Sequence, residues 1–452
     1  MGLGSKLVFL MPSYSNRGIL IVAFIIVTAL IIDTSVIKTY DLIGKKESFG
    51  YRIIVFSILI IISLVGQYYV LGFVKQKNVS NIVNPREIHL DKIHKIVVLV
   101  QYSLMALLAF ILVQILVSSY YSTILLNAVT SIGYVVATTI LALLSQRFFL
   151  WYKSNRNSVV FLYGMSAAIL AINTGLTFLL VNSAFANMPK EVGPLMLGSA
   201  EYLVRSYWVN ILYYSYFASS IVSFLVTWIA SALVLLHYSN RLGRVKYWII
   251  LAIPLVYFLS QFAAFFLNIF QPLLQADPVF YTVLVTLLFT LSKPIGGILF
   301  GIAFWTMARS ISHSSRVRNY MIISGVGLVL LFVSNQAIVL VTQPYPPFGL
   351  ATISFIGLSS YLVLVGIYSS AISVSLDVGL RKTIRKSVTE QLKFLESIGT
   401  SHMERKLQSI VFRIAKKTSD EMVEKSGVET SFTEDEMRQY IEQVVKELGN
   451  KR

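Results

Sequence analysis

The sequence predicts an all-α polytopic membrane protein of about ten transmembrane helices arranged as hairpins, ending in a short, charged, helical tail. Three observations predict it. The 452-residue chain is 56% hydrophobic and only 13% charged, about half the charge of a soluble domain. Its apolar residues gather in runs of about 20, the length that spans a bilayer as a helix. Its basic residues sit in alternate connections between those runs, as the positive-inside rule requires.

The runs lie at 18–37, 53–74, 96–118, 122–145, 158–182, 208–236, 247–270, 279–308, 320–342 and 348–376. Residues Gly18 to Ile32 have the look of a signal-peptide core, but no small-x-small cleavage pattern follows, so the run reads as a retained first helix. Met1-Gly2 is followed by Lys6 where a myristoylation motif needs Ser or Thr. Arg147, Lys153 and Arg156 follow the fourth run, Arg241, Arg244 and Lys246 the sixth, and Arg309, Arg316 and Arg318 the eighth. Arg381, Lys382, Arg385 and Lys386 follow the last. The intervening connections 119–121, 271–278 and 343–347 carry no Lys or Arg. This alternation predicts a multi-pass protein of the cell membrane with both termini cytoplasmic. The connection 38–52 disagrees, holding Lys38, Lys45, Lys46 and Arg52 on the side expected to be outside. It leaves open whether the first run spans. The longest outer connection, 183–207, is too short for a domain and suits a cap over an outward cavity.

Two domains follow from composition: a transmembrane bundle over 1–376 and a cytoplasmic tail over 377–452. The first holds 23 Lys/Arg against 8 Asp/Glu, the second 15 against 13. The excess of the +17 net charge therefore belongs to the membrane part. Its implied partners are the bilayer and anionic headgroups on the cytoplasmic side. Nucleic acid is not expected, because no basic soluble domain exists. In the tail, Leu392, Leu395 and Ile398, then Met403, Leu407, Ile410 and Ile414 fall at helical spacing, and Thr433–Glu436 form a capping box. Three short amphipathic helices are predicted, packed on each other, on a second subunit or protein partner, or on the cytoplasmic loops.

A weak internal repeat runs through the bundle. Arg156, Arg244 and Arg318 each precede an apolar run, and a carboxamide follows each 17 residues later: Asn173, Gln261 and Asn335. At 1.5 Å per residue the carboxamides lie about 25 Å above their arginines. Gln114, Asn268 and Gln336 are further intramembrane carboxamides. Such groups most often join helices to one another.

Lys293 is the least expected residue, lying mid-span in Leu291-Ser-Lys-Pro-Ile-Gly-Gly-Ile298. An ammonium at bilayer depth costs several kcal/mol unless it faces a partner or a cavity, about 2.5–3.5 on insertion scales. Pro294 removes a helical donor and frees a carbonyl one turn back, and Gly296, Gly297 and Gly301 permit close backbone approach. The segment has the pattern of a broken helix at a ligand or ion site. Lys293, Pro294, Asn173, Gln261 and Asn335 are the candidate site residues. Asp33, the one carboxylate inside a run, is the candidate counter-ion.

No catalytic, metal or cofactor motif is expected. The chain has no cysteine, which removes disulfides and thiolate sites. Glu87, His89, Asp91 and His94 have ligand-capable side chains, but His89 and His94 lie about 140° apart on a helix. His402 in Ser401-His-Met-Glu-Arg405 lacks the proline and nucleotide domain of a phosphoacceptor histidine. No paired acid, His-Glu-x-x-His or Ser–His arrangement falls at bilayer depth, so an enzyme is not expected.

The basic cytoplasmic loops, the Pro344-Tyr-Pro-Pro-Phe348 turn and the passage of the last run into Asp377-Val-Gly-Leu-Arg-Lys-Thr-Ile-Arg385 resemble the multi-span sensing modules of archaeal membrane signalling proteins. The resemblance covers about residues 100–400 and implies a sensing role without output domains. Three functions therefore stand: a membrane sensor or signalling adaptor with helical output, a transporter or channel with a site around Lys293, and a structural subunit of a membrane complex.

Overall fold

The computed structural model describes residues 16–39, 49–79, 88–186, 188–194, 207–236, 239–267, 269–311, 316–336, 345–386 and 390–426. In order these form α1 (Asn16–Thr39), α2 (Phe49–Val79), α3 (Ile88–Ser118), β1 (Tyr121–Ser122), α4 (Thr123–Ser154), α5 (Ser158–Phe185), β2 (Glu191–Val192) and α6 (Tyr207–Leu235). Then follow α7 (Ser239–Leu242), α8 (Arg244–Phe266), α9 (Gln271–Ala276), α10 (Pro278–Ser310), α11 (Arg316–Ser334), α12 (Leu350–Ser354), α13 (Ile356–Leu376), α14 (Val378–Lys386) and α15 (Glu390–Ser426). Among the described residues ten helices are long and apolar enough to cross a membrane, with α12 and α13 together forming the tenth. The fold is all-α and polytopic, as the hydropathy pattern predicts. The first run forms α1 and meets the length and composition of a span.

Caps set where the helices begin. Asn157 closes the first turn of α5 by accepting from the Val159 and Val160 amides at 2.9 and 3.3 Å. Asp277 does the same for α10, and Pro278 follows it at the first helical position. The ribbon β1–β2 is antiparallel and ties the start of α4 to residues 191–192.

Two helices form the axis of the bundle. The most apolar stretch of α11 is 89% buried and that of the last span 100%, whereas no other span exceeds 56%. Around them pack α1, α4 and α10. Contact between α10 and α11 is close: a methyl group added at Gly301 would lie 3.0 Å from the Gly325 carbonyl, and one at Gly325 equally close to that of Gly301. Small residues let helices meet where the lipid offers no hydrophobic drive.

Three expectations need correction. The ninth span stops at Ser334, not at 342; Asn335 and Gln336 are non-helical and buried, and 337–344 lie outside the described residues. No break occurs at Pro294, since α10 runs as one 33-residue helix through it. The first two predicted tail helices are one continuous 37-residue helix, α15. The first part of this helix packs into the bundle, where Phe394, Leu395 and Ile398 are fully buried in the core. The third tail helix, around 433–448, lies outside the described residues.

A candidate solute centre at Lys293

The centre is assembled from helices that carry the Arg-to-carboxamide spacing. α5, α8 and α11 begin close to Arg156, Arg244 and Arg318, so their carboxamides sit at matching heights. Two of them meet: Asn335 Nδ2 donates to Asn173 Oδ1 at 2.9 Å. Asn173 Nδ2 donates in turn to the Tyr216 carbonyl at 3.1 Å and to Ser219 Oγ at 2.9 Å, which joins α6 to the group. Lys293 Nζ donates to the Asn335 carbonyl at 2.6 Å and to the Tyr216 hydroxyl at 3.1 Å. Its ammonium also lies 5.2 Å from the centroid of the Tyr216 ring, within cation–π range. The third carboxamide, Gln261, accepts from Ser292 Oγ at 3.0 Å, beside Lys293 in the chain. All these groups but the half-buried Ser219 are buried, and Lys293 keeps 9% exposure.

Pro294 acts through the backbone. Without an amide hydrogen it leaves the carbonyl four residues back, at Thr290, with no helical donor. Gln336 Nε2 fills that role at 3.1 Å. A proline inside α10 is thus tolerated because a side chain on the neighbouring strand of chain satisfies the carbonyl. The Thr290 hydroxyl is reached from α1 by Ser35 Oγ at 3.3 Å.

Lys293 and Asp33 each meet the end of a neighbouring helix. α11 ends at Ser334, and the Asn335 carbonyl that binds the ammonium belongs to its last turn, where the Asn335 amide still bonds to Leu331 O at 3.1 Å. Positive charge is favoured at a helix C-terminus. Asp33 is not the salt-bridge partner of Lys293. Its Oδ2 accepts from the Thr352 amide at 3.1 Å and the Thr352 hydroxyl at 2.8 Å, at the start of the last span. Negative charge is favoured there for the opposite reason. Each buried charge is held by a helix end, and among the described residues Lys293 makes no ion pair.

The other singled-out residues lie elsewhere. His94 Nδ1 bonds to the Tyr361 hydroxyl at 2.5 Å, and the His89 side chain is outside the description. Gln114 Oε1 accepts from the Ser122 amide at 3.3 Å, near β1. Asn268 lies outside the described residues. A second buried polar group, Gln67, Gln101 and Ser354, joins α2 and α3 to α12. Between α1 and α2 runs a groove of about 380 Å³ lined by Phe24, Ile25, Ile32, Val55, Ile58 and Ile62. Its lining is apolar, which suits hydrocarbon.

At the opposite end the tail helix closes the bundle. The Phe394 ring lies 5.6 Å from that of Tyr163, 6.4 Å from Phe148 and 6.3 Å from Phe304. Ser401 Oγ donates to the Trp151 carbonyl at 3.0 Å. His402 stands edge-on to Tyr368 at 5.4 Å, and Arg147 lies over the same ring. Burial, with Lys406 and Arg147 adding repulsion, pushes the His402 imidazole down to about 4, so it is neutral at pH 7.

Sequence reasoning missed Tyr216, Ser219, Ser292 and Thr290, the polar neighbours that complete the centre. No protein family, curated protein or solved structure matches this chain.

Proposed function

We propose that this membrane protein is a transporter of a small polar solute, without enzymatic activity, and that the Lys293 centre is its solute site. The observation that carries the reading is the buried Lys293 ammonium among spanning helices, held by the Asn335 carbonyl and the Tyr216 hydroxyl with no ion pair among the described residues. Ionisable side chains within spanning segments face the bundle interior and mark substrate or ion pathways. We place both termini on the cytoplasmic side of the cell membrane, from the Lys/Arg distribution in the connections.

A cysteine-free chain gives a direct test. Ser292→Cys puts a small thiol beside Lys293. Reconstituted in vesicles of known orientation, a transporter will expose that thiol to an impermeant thiol reagent from each face in turn. Modification from neither face refutes a solute site, and modification from one face alone refutes transport.

A second reading, a sensor with the tail helix as output, draws on the docking of Phe394, Leu395 and Ile398 into the bundle. α13 contacts both α11, which bears Asn335, and α15, so a shift at the centre has a packed route to the tail. One-sided labelling of Ser292→Cys, with tail mobility that changes on solute addition, is the outcome that favours it.

A further inference from the structure

Taking the Lys293 centre as a solute site, we infer that its ligand is a small carboxylate bearing a hydrogen-bond donor of its own, such as a short 2-hydroxy acid. The inference rests on what the centre leaves unpaired. The Lys293 ammonium has no acidic partner among the described residues. The α11 terminus that receives it offers only about half a compensating charge. The residual field at this point is positive, and the site is shielded from bulk water. An anion is the species such a field favours.

Hydrogen-bond accounting gives the ligand its shape. The Tyr216 hydroxyl accepts from Lys293, which leaves its own hydrogen without an acceptor among the described residues. The Tyr134 hydroxyl, on α4, which packs against the Asn173-bearing α5, is buried with no partner among the described residues. A buried hydroxyl is rarely left in this condition. Two phenol hydroxyls and one ammonium on packed helices thus have hydrogens to give, which matches the several lone pairs of a carboxylate. One group has the opposite need. Asn335 Oδ1 is buried and accepts nothing from the described residues, while its amide nitrogen is committed to Asn173. An acceptor beside the anion site calls for a donor on the ligand itself, which a hydroxyl or ammonium next to the carboxylate supplies. A halide or plain fatty acid would leave that oxygen orphaned.

The test is equilibrium binding in detergent, which does not depend on transport. Thermal unfolding of the purified full chain is followed by intrinsic fluorescence while sodium lactate, sodium propionate or sodium chloride is titrated at constant ionic strength. Lactate should raise Tm saturably. Propionate, lacking the donor, should bind about tenfold more weakly, the scale of one hydrogen bond to a buried polar group. Lys293→Met should abolish the lactate response. Tyr134→Phe is the discriminating variant. Because its hydroxyl makes no bond, a purely structural role predicts unchanged lactate binding, whereas a ligand contact predicts about a tenfold loss. No saturable lactate response in the wild-type protein, or an equal one in Lys293→Met, overturns the inference. Equal lactate and propionate affinities overturn the assignment of Asn335 Oδ1, the acceptor left open by the described residues. Two-sided labelling of Ser292→Cys without a lactate response would leave transport standing and refute the carboxylate. Lactate binding with one-sided labelling would do the reverse.

Discussion

The pairing of Gln336 with the carbonyl freed by Pro294 makes a quantitative prediction. Gln336→Leu keeps nearly the same volume and removes the donor. The Thr290 carbonyl is then buried with no partner on the helix, because residue 294 has no amide hydrogen. Leaving a buried acceptor unpaired costs about 1–3 kcal/mol in water-soluble proteins. Interhelical bonds in membranes average nearer 0.6 kcal/mol, so a loss of about 1 kcal/mol is expected. Pro294→Ala restores the amide and returns Thr290 to the helical ladder. In that background Gln336→Leu should cost almost nothing, giving a coupling of about 1 kcal/mol between the two positions. Reversible unfolding in mixed detergent micelles, read through the chain's 5 tryptophans, measures all four corners of the cycle. Costs that add to within about 0.3–0.5 kcal/mol would refute the reasoning, since independent sites behave that way.

Three further outcomes follow from the same geometry. Phe394→Ala empties the space between Tyr163, Phe148 and Phe304; it should destabilise by about 3–5 kcal/mol, and thermal denaturation unchanged by the substitution would show that the tail is not part of the core. Asp33→Leu strips the Thr352 amide and hydroxyl of their acceptor and should cost about 1–3 kcal/mol, with Asp33→Asn milder because it still accepts a hydrogen bond; an Asp33→Asn variant as stable as the wild type would remove charge from the account of that helix end. His402 has its pKa lowered from 6.5 to about 4 on folding, so the unfolded chain binds the extra proton between those values. Its stabilisation is complete above pH 6.5 and is lost as pH falls towards 4. Tail docking, followed by hydrogen exchange of α15, should weaken over that window and flatten in His402→Gln.

The parts of the centre legible in the sequence were those that stand out against hydrocarbon. Asn173, Gln261, Asn335 and Lys293 were visible because any polar group in an apolar run is conspicuous, and the 17-residue spacing from a basic loop gave three of them a common height. Tyr216 and Ser219 were not visible, because tyrosine and serine recur throughout the spans and only packing selects one of them. Pro294 misled in a physical way: the sequence states that a carbonyl is freed but not that Gln336, 42 residues on, will satisfy it. The break after Ser334 was hidden because 337–341 are as apolar as the helix before them. Asp33 gave its charge but not its partner, since the start of the last span reaches it only through tertiary packing. The docking of α15 was likewise concealed by its charged composition, although Leu395 and Ile398 already marked the face that is buried.

The central claim is that residue 335 and Lys293 meet at one buried point, and exchanging a carboxamide for a carboxylate tests it most directly. Asn335→Asp changes shape hardly at all and sets a negative charge beside an ammonium already bound to the same residue's carbonyl. With Lys293 present, the new charge has a counter-ion and the variant should remain folded, losing only the bond to Asn173. With Lys293→Met it becomes a buried, unpaired carboxylate, a condition that costs about 3–5 kcal/mol. The account predicts a coupling of that size between the two substitutions, measured by unfolding of the single and double variants in the same micelles. Additive effects would place Lys293 and residue 335 apart, and would contradict the centre on which the functional reading rests.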